Sequence, residues 1–135
     1  MKEKISIIFP FLNEADNLLN IKEKILDELV KYPSVEFELI FVDDGSSDDS
    51  IKVLNQTDFG KTSSKLISLT KNFGSHAAIF AGIKHSNGDY ITILSSDFQD
   101  DVGLVLDMYR ESQHGFDIVL PLRKVNKTSF LWEKE

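Results

Sequence analysis

Phe37-Glu-Leu-Ile-Phe-Val-Asp43-Asp44-Gly45-Ser46-Ser47-Asp48 decides how this chain is read. An apolar run from Phe37 to Val42 stops abruptly at two carboxylates. Gly45 then permits a tight turn, and Ser46, Ser47 or Asp48 supplies an N-cap for a helix carrying Ile51, Val53 and Leu54. The same grammar recurs on either side. Ile5 to Phe11 is apolar except for Ser6, closes at Pro10 and runs into Asn13-Glu14. Leu66 to Thr70 precedes Lys71-Asn72, and Tyr90 to Leu94 precedes Asp97, Gln99, Asp100 and Asp101. A fifth strand is expected at Phe116 to Leu120, stopped by Pro121.

Helical spacing fills the gaps between these runs. Leu18, Leu19, Ile21, Ile25, Leu29 and Val30 predict one helix capped by Asn13, with Glu14 and Asp16 in its first turn. Ala77 to Lys84 is a helix of small residues suited to close packing, and Val102 to Ser112 predicts another, with Gly115 as its stop. Near-continuous apolar strands belong to parallel sheets covered on both faces. Strands alternating with helices therefore predict an α/β fold with a mainly parallel, Rossmann-like sheet flanked by helices. One domain is expected over residues 1–122, with 123–135 an unassigned tail.

Composition removes several classes. A net charge of -7 argues against nucleic acid as a partner, which requires basic surface. The absence of cysteine excludes disulfides and thiolate metal sites, in keeping with a cytoplasmic setting. No apolar stretch approaches the ~20 residues of a bilayer span, and the apolar run after Met1-Lys-Glu-Lys is read as a strand rather than a leader. No Gly-x-Gly-x-x-Gly follows the first strand, which argues against a nicotinamide-dependent oxidoreductase.

In such sheets ligands bind outside the carboxyl ends of the strands. Asn13-Glu14, Asp43-Asp44, Lys71-Asn72 and Asp97-Gln99 all fall there. Paired carboxylates can accept hydrogen bonds from a base or ribose. Asp97 and Gln99 offer oxygen to a hard divalent cation that would neutralise a diphosphate, and Lys71 adds positive charge. This assembly suits transfer of a group away from a nucleotide diphosphate.

Ile-Ile-Phe-Pro-Phe-Leu-Asn13-Glu14, Phe-Val-Asp43-Asp44-Gly-Ser-Ser-Asp48, Lys71-Asn72-Phe-Gly74-Ser-His-Ala-Ala and Ser-Asp97-Phe-Gln99-Asp100 together resemble the family 2 glycosyltransferases. Within them the chain is most similar to the polyprenyl-phosphate branch, from about Ile5 to Leu122. The resemblance implies a GT-A fold, an inverting displacement, Mg²⁺ or Mn²⁺, and a UDP- or GDP-sugar donor. It implies that Pro10, Asn13, Glu14, Asp43 and Asp44 surround the nucleoside, that Lys71 lies near the diphosphate, and that Asp97 and Gln99 hold the metal. It also implies a polyprenyl-phosphate acceptor, at the inner face of a membrane, and a homodimer is a further expectation.

Two departures qualify the resemblance. Ser95 stands at the first acid of the family's Asp-x-Asp motif, and the acceptor-binding half that follows in the family is expected to be missing. The general base is therefore expected outside this chain. The alternative reading is a catalytically inactive nucleotide-binding or assembly module.

Overall fold

A computed structural model describes residues 1–95 and 102–121. The chain divides into two compact units, Met1–Gly103 and the segment from Leu104 onward. The first holds a four-stranded parallel sheet in the order β3-β2-β1-β4. Its strands are β1 (Glu3–Phe11), β2 (Val35–Asp43), β3 (Ser63–Ser68) and β4 (Tyr90–Ile93). The chain runs outward from β1 through β2 to β3, then returns to place β4 on the other side of β1. That reversal is a topological switch point, where α/β sheets open a crevice.

The central strands are apolar on both sides because both sides are covered. Ile8, Ile40 and Val42 pack with Ala78 of α4 (Ser75–Lys84). Contact there is so close that a Cβ on Gly82 would lie 2.6 Å from Ile8 Cγ2. Alternation sends Phe9 and Phe41 to the opposite face. Their rings stack at 4.9 Å, and Phe59 stacks on Phe41 at 5.4 Å. Phe9↔Phe41 and Ile8↔Ile40 are direct register partners, so one pairing register serves both layers.

The helix expected after Asn13 is two helices, α1 (Ala15–Leu18) and α2 (Ile21–Leu29). Asn13 caps neither; its φ is +53° and its side chain is bonded elsewhere, as described below. Ile21, Ile25 and Leu29 still form one buried stripe of α2. The helix α3 spans Ser50–Asn55. β3 starts three residues before the expected Leu66, with Ser63 opposite Glu38.

The helix α5 (Gly103–Ser112), in the second unit except for its first residue, forms as expected, with Val105 and Leu106 buried. The strand expected at Phe116–Leu120 does not form. Phe116, Ile118 and Leu120 are exposed, and an apolar run becomes a strand only where an edge accepts its backbone hydrogen bonds. The tail from 123 onward lies outside the described residues.

One buried charge fastens the amino end of the sheet. Glu38, 2% exposed, accepts hydrogen bonds from Ser6 Oγ at 2.7 Å and from the Asn87 backbone N–H at 2.9 Å, and pairs with Lys65 Nζ at 2.7 Å. Ser6 Oγ in turn accepts from Gly88 N–H at 2.8 Å, so the turn entering β4 is stapled to β1 and β2. A Cβ on Gly88 would sit 2.5 Å from that hydroxyl, which explains glycine there. Burial alone would raise the Glu38 pKa. The Lys65 ammonium, the Asn87 backbone N–H, the Ser6 hydroxyl and the Asn87 side chain outweigh it and lower the value from 4.5 to about 2.

A depressed carboxylate pKa contributes stability above its unfolded value, and that stability is lost as pH falls toward the folded value. Wild type should therefore lose up to about 3 kcal/mol from Glu38 between about pH 5 and pH 2. Urea unfolding at several pH values checks this: Glu38→Gln should be the less stable protein at pH 6, and the gap should shrink as pH falls toward 2.

Candidate functional site

The loops at the carboxyl ends of β1 and β2 are wired together reciprocally. Asn13 N–H donates to Ser46 Oγ at 2.8 Å. Asn13 Oδ1 accepts from the backbone N–H groups of Ser47 at 2.8 Å and Asp48 at 3.2 Å. Glu14 N–H donates to Ser50 Oγ at 3.0 Å, and Ala15 N–H to Asp48 Oδ2 at 3.2 Å. Asn tolerates positive φ and carries an amide oxygen, so one residue supplies both the turn and the acceptor. Asp48 also accepts the Ser50 hydroxyl, the foremost reason its carboxyl is held below the ordinary range. Asp43, 1% exposed, is engaged in its own turn, accepting Ser46 N–H at 3.0 Å.

Asp44 joins a third loop to these two. It is 5% exposed, and Oδ1 accepts from Phe73 N–H at 2.8 Å while Oδ2 accepts from Gly74 N–H at 3.1 Å. The carboxylate thereby fixes the entry to α4, where a negative charge also favours the helix dipole. Gly45, with φ +85°, lies so near that a Cβ would be 2.5 Å from Asn72 N. Lys71 Nζ is 5.0 Å above the Phe73 ring, a cation–π contact on the outside of this loop.

These loops surround a cavity of about 540 Å³ at the switch point. Pro10, Glu14, Asp44, Asn72, Ser75 and Ser95 contribute to its wall, with Phe11, Ala78 and Ile93 giving apolar surface. Of the residues singled out in the sequence, Pro10, Glu14 and Asp44 come together here. Asn13, Asp43 and Lys71 do not line it; the first two shape the loops that do. Asp97 and Gln99 lie outside the described residues. Asn72 was expected at this rim as one of the strand-end residues, but Gly74 and Ser75 were given no role, although a small-residue turn before a helix of small residues was the signal for them.

The wall is rich in oxygen: two carboxylates, two hydroxyls and an amide. That is the ligand chemistry a hard divalent cation uses. Among the described residues no three His, Cys, Asp or Glu side chains converge as a metal site. Any cation would need further oxygens from beyond them.

The sequence profile of glycosyl transferase family 2 matches residues 6–134. The chain is 35% identical over 133 residues to the undecaprenyl-phosphate 4-deoxy-4-formamido-L-arabinose transferase of Photorhabdus laumondii, covering 98% of this chain and 40% of that protein. Among solved structures it superposes on TarS of S. aureus with a TM-score of 0.68 at 24% identity, covering 94% of this chain and 23% of the other. It also superposes on M. tuberculosis glucosyl-3-phosphoglycerate synthase, solved with Mn²⁺, UDP and glucosyl-3-phosphoglycerate. The TM-score there is 0.63 at 23% identity, over 82% of this chain and 39% of the other. The architecture is thus the GT-A fold, and the chain spans about 40% of the length of relatives such as the first.

Three substitutions separate the roles of the loop residues. Asn13→Gly keeps the positive φ but removes the acceptor for two N–H groups, and should cost about 1–2 kcal/mol in chemical unfolding; Asn13→Ala should cost more, because it adds left-handed strain. Gly45→Ala should cost about 2 kcal/mol or more, since strained φ and overpacking against Asn72 coincide.

Proposed function

The chain belongs to glycosyl transferase family 2, and we propose that its switch-point cavity binds a nucleotide-diphosphate sugar for inverting transfer to an acceptor. The observation that carries this reading is the cavity itself. It gathers Pro10, Glu14 and Asp44 at the carboxyl ends of β1 and β2, where sheets of this topology take nucleotides. Within residues 1–122, Glu14 and Asp44 accept hydrogen bonds from the nucleoside, and the loops fixed by Asn13 and Asp43 keep the cavity in shape. Lys71 swings from Phe73 toward the diphosphate.

Asp97 and Gln99 would hold Mg²⁺ or Mn²⁺, which when bound would supply positive charge that makes the diphosphate a better leaving group. An acceptor oxygen bonds to the anomeric carbon from the face opposite the diphosphate, the carbon–oxygen bond to the diphosphate breaks, and the nucleoside diphosphate departs. A general base from outside the described residues receives the acceptor's proton where the acceptor carries one. The P. laumondii relative is named for undecaprenyl phosphate, which supports a polyprenyl phosphate as acceptor. Chemistry on such a lipid belongs at the cytoplasmic face of a membrane. Among the described residues no helix is long and apolar enough to cross one.

Ser95 motivates a second reading. It lies in the cavity wall at the motif's first acid position, where a neutral hydroxyl weakens cation binding. A nucleotide-binding module that transfers nothing would have this feature.

Calorimetric titration with UDP and GDP, each with and without Mn²⁺, tests the first reading. Binding of one nucleotide that strengthens with Mn²⁺ and loses that dependence in Asp97→Ala is expected. A folded protein that binds neither nucleotide sinks it. Ser95→Asp should tighten Mn²⁺-dependent binding, and tightening without any sugar transfer would favour the silent module.

A further inference from the structure

Pro10 stands inside a central strand, where proline is ordinarily excluded because it cannot donate to the ladder. The side on which the N–H is lacking can be read from its neighbours. Leu94 N–H donates to the Ile8 carbonyl at 2.9 Å, so the polar groups of Ile8 face β4. Residues two apart in a strand share a side, so the nitrogen of Pro10 also faces β4. Asp44 N–H donates to the Phe11 carbonyl at 2.9 Å, which confirms that the odd-numbered residues face β2.

The two ladders of β1 end accordingly at different heights. Pairing with β2 continues to Phe11↔Asp43, whereas pairing with β4 stops at Ile8↔Ile93. The next bond of a continuing parallel ladder would run from the N–H of residue 10 to the Leu94 carbonyl. Proline has no N–H to give. The cavity begins at that point, with Pro10 on one wall and Ile93 and Ser95 on the other.

The geometry points to Pro10 as a positioning residue: by withholding one backbone donor it ends the β1–β4 ladder and holds the strands apart where a ligand enters. The inference rests on the nucleotide reading above for its ligand, but not for its structural half. With an N–H at position 10 the ladder would extend, and the nucleotide would have to select the opened form, so its apparent affinity would fall by the closed fraction.

Pro10→Ala and Pro10→Gly both restore the donor while differing in side chain and strand preference, so a folding defect in one leaves the other to decide. Amide hydrogen exchange at residue 10 and titration with UDP and GDP in the presence of Mn²⁺ are measured on each. The amide should exchange roughly tenfold or more slowly than an unprotected loop amide. The nucleotide Kd should rise roughly three- to tenfold, the factor that one backbone hydrogen bond is worth. An unprotected amide in both variants overturns the inference, and so does protection with an unchanged Kd. If wild type binds neither nucleotide, the ligand reading fails by itself, and exchange at residue 10 still decides whether proline ends the ladder.

Discussion

A single buried carboxylate organises the carboxyl edge of this sheet. Asp44 reaches from the end of β2 to the backbone of Phe73 and Gly74, residues nearly thirty positions away. A charge so deeply buried is tolerable only if its oxygens are occupied by donors, and here the donors are backbone groups at the start of α4. The loop is therefore placed by an electrostatic requirement rather than by apolar contact. Asn13 does the same on the other side with a neutral amide. The three loops are tied into one rim because Asn13 and Asp44 each find partners in a neighbouring loop.

This arrangement accounts for the division of labour among the acidic residues. Asp43 and Asp44 are neighbours in sequence but turn to different tasks, one closing its own turn and the other reaching across to α4. Glu38, far from the rim, is the counterpart at the amino end, with Lys65 and Asn87 as its partners. The sheet is pinned at both ends by buried acids, and the cavity opens beside β4.

What could be read from the sequence follows from how local each cause was. The central strands were legible because Ile5 to Phe11 and Phe37 to Val42 are apolar without a period, which both-sided burial requires. β3 was placed too late because its polar opening, Ser63 to Lys65, is held by a distant partner, Glu38. Asn13 looked like a helix cap because its capping chemistry is real; its acceptor simply serves the β2 loop instead. Phe116 to Leu120 had the composition of a strand, but composition cannot supply the edge that a strand needs. The cavity was anticipated as a set of strand ends, whereas the wiring between them, which runs from Asn13 to Ser47 and from Asp44 to Gly74, joins residues too distant for any pattern to reveal.

The placement of β1 has a consequence for how the molecule comes into being. Of the four strands β1 is made before the others and is one of the two central ones, and Lys4 N–H waits for Asp89 Oδ2 across 85 residues. At about 5–20 residues per second, the ribosome needs roughly 4–17 s to deliver that partner. Throughout that interval one side of an almost wholly apolar strand has no permanent neighbour, so the nascent chain is most in need of a chaperone's cover before β4 emerges.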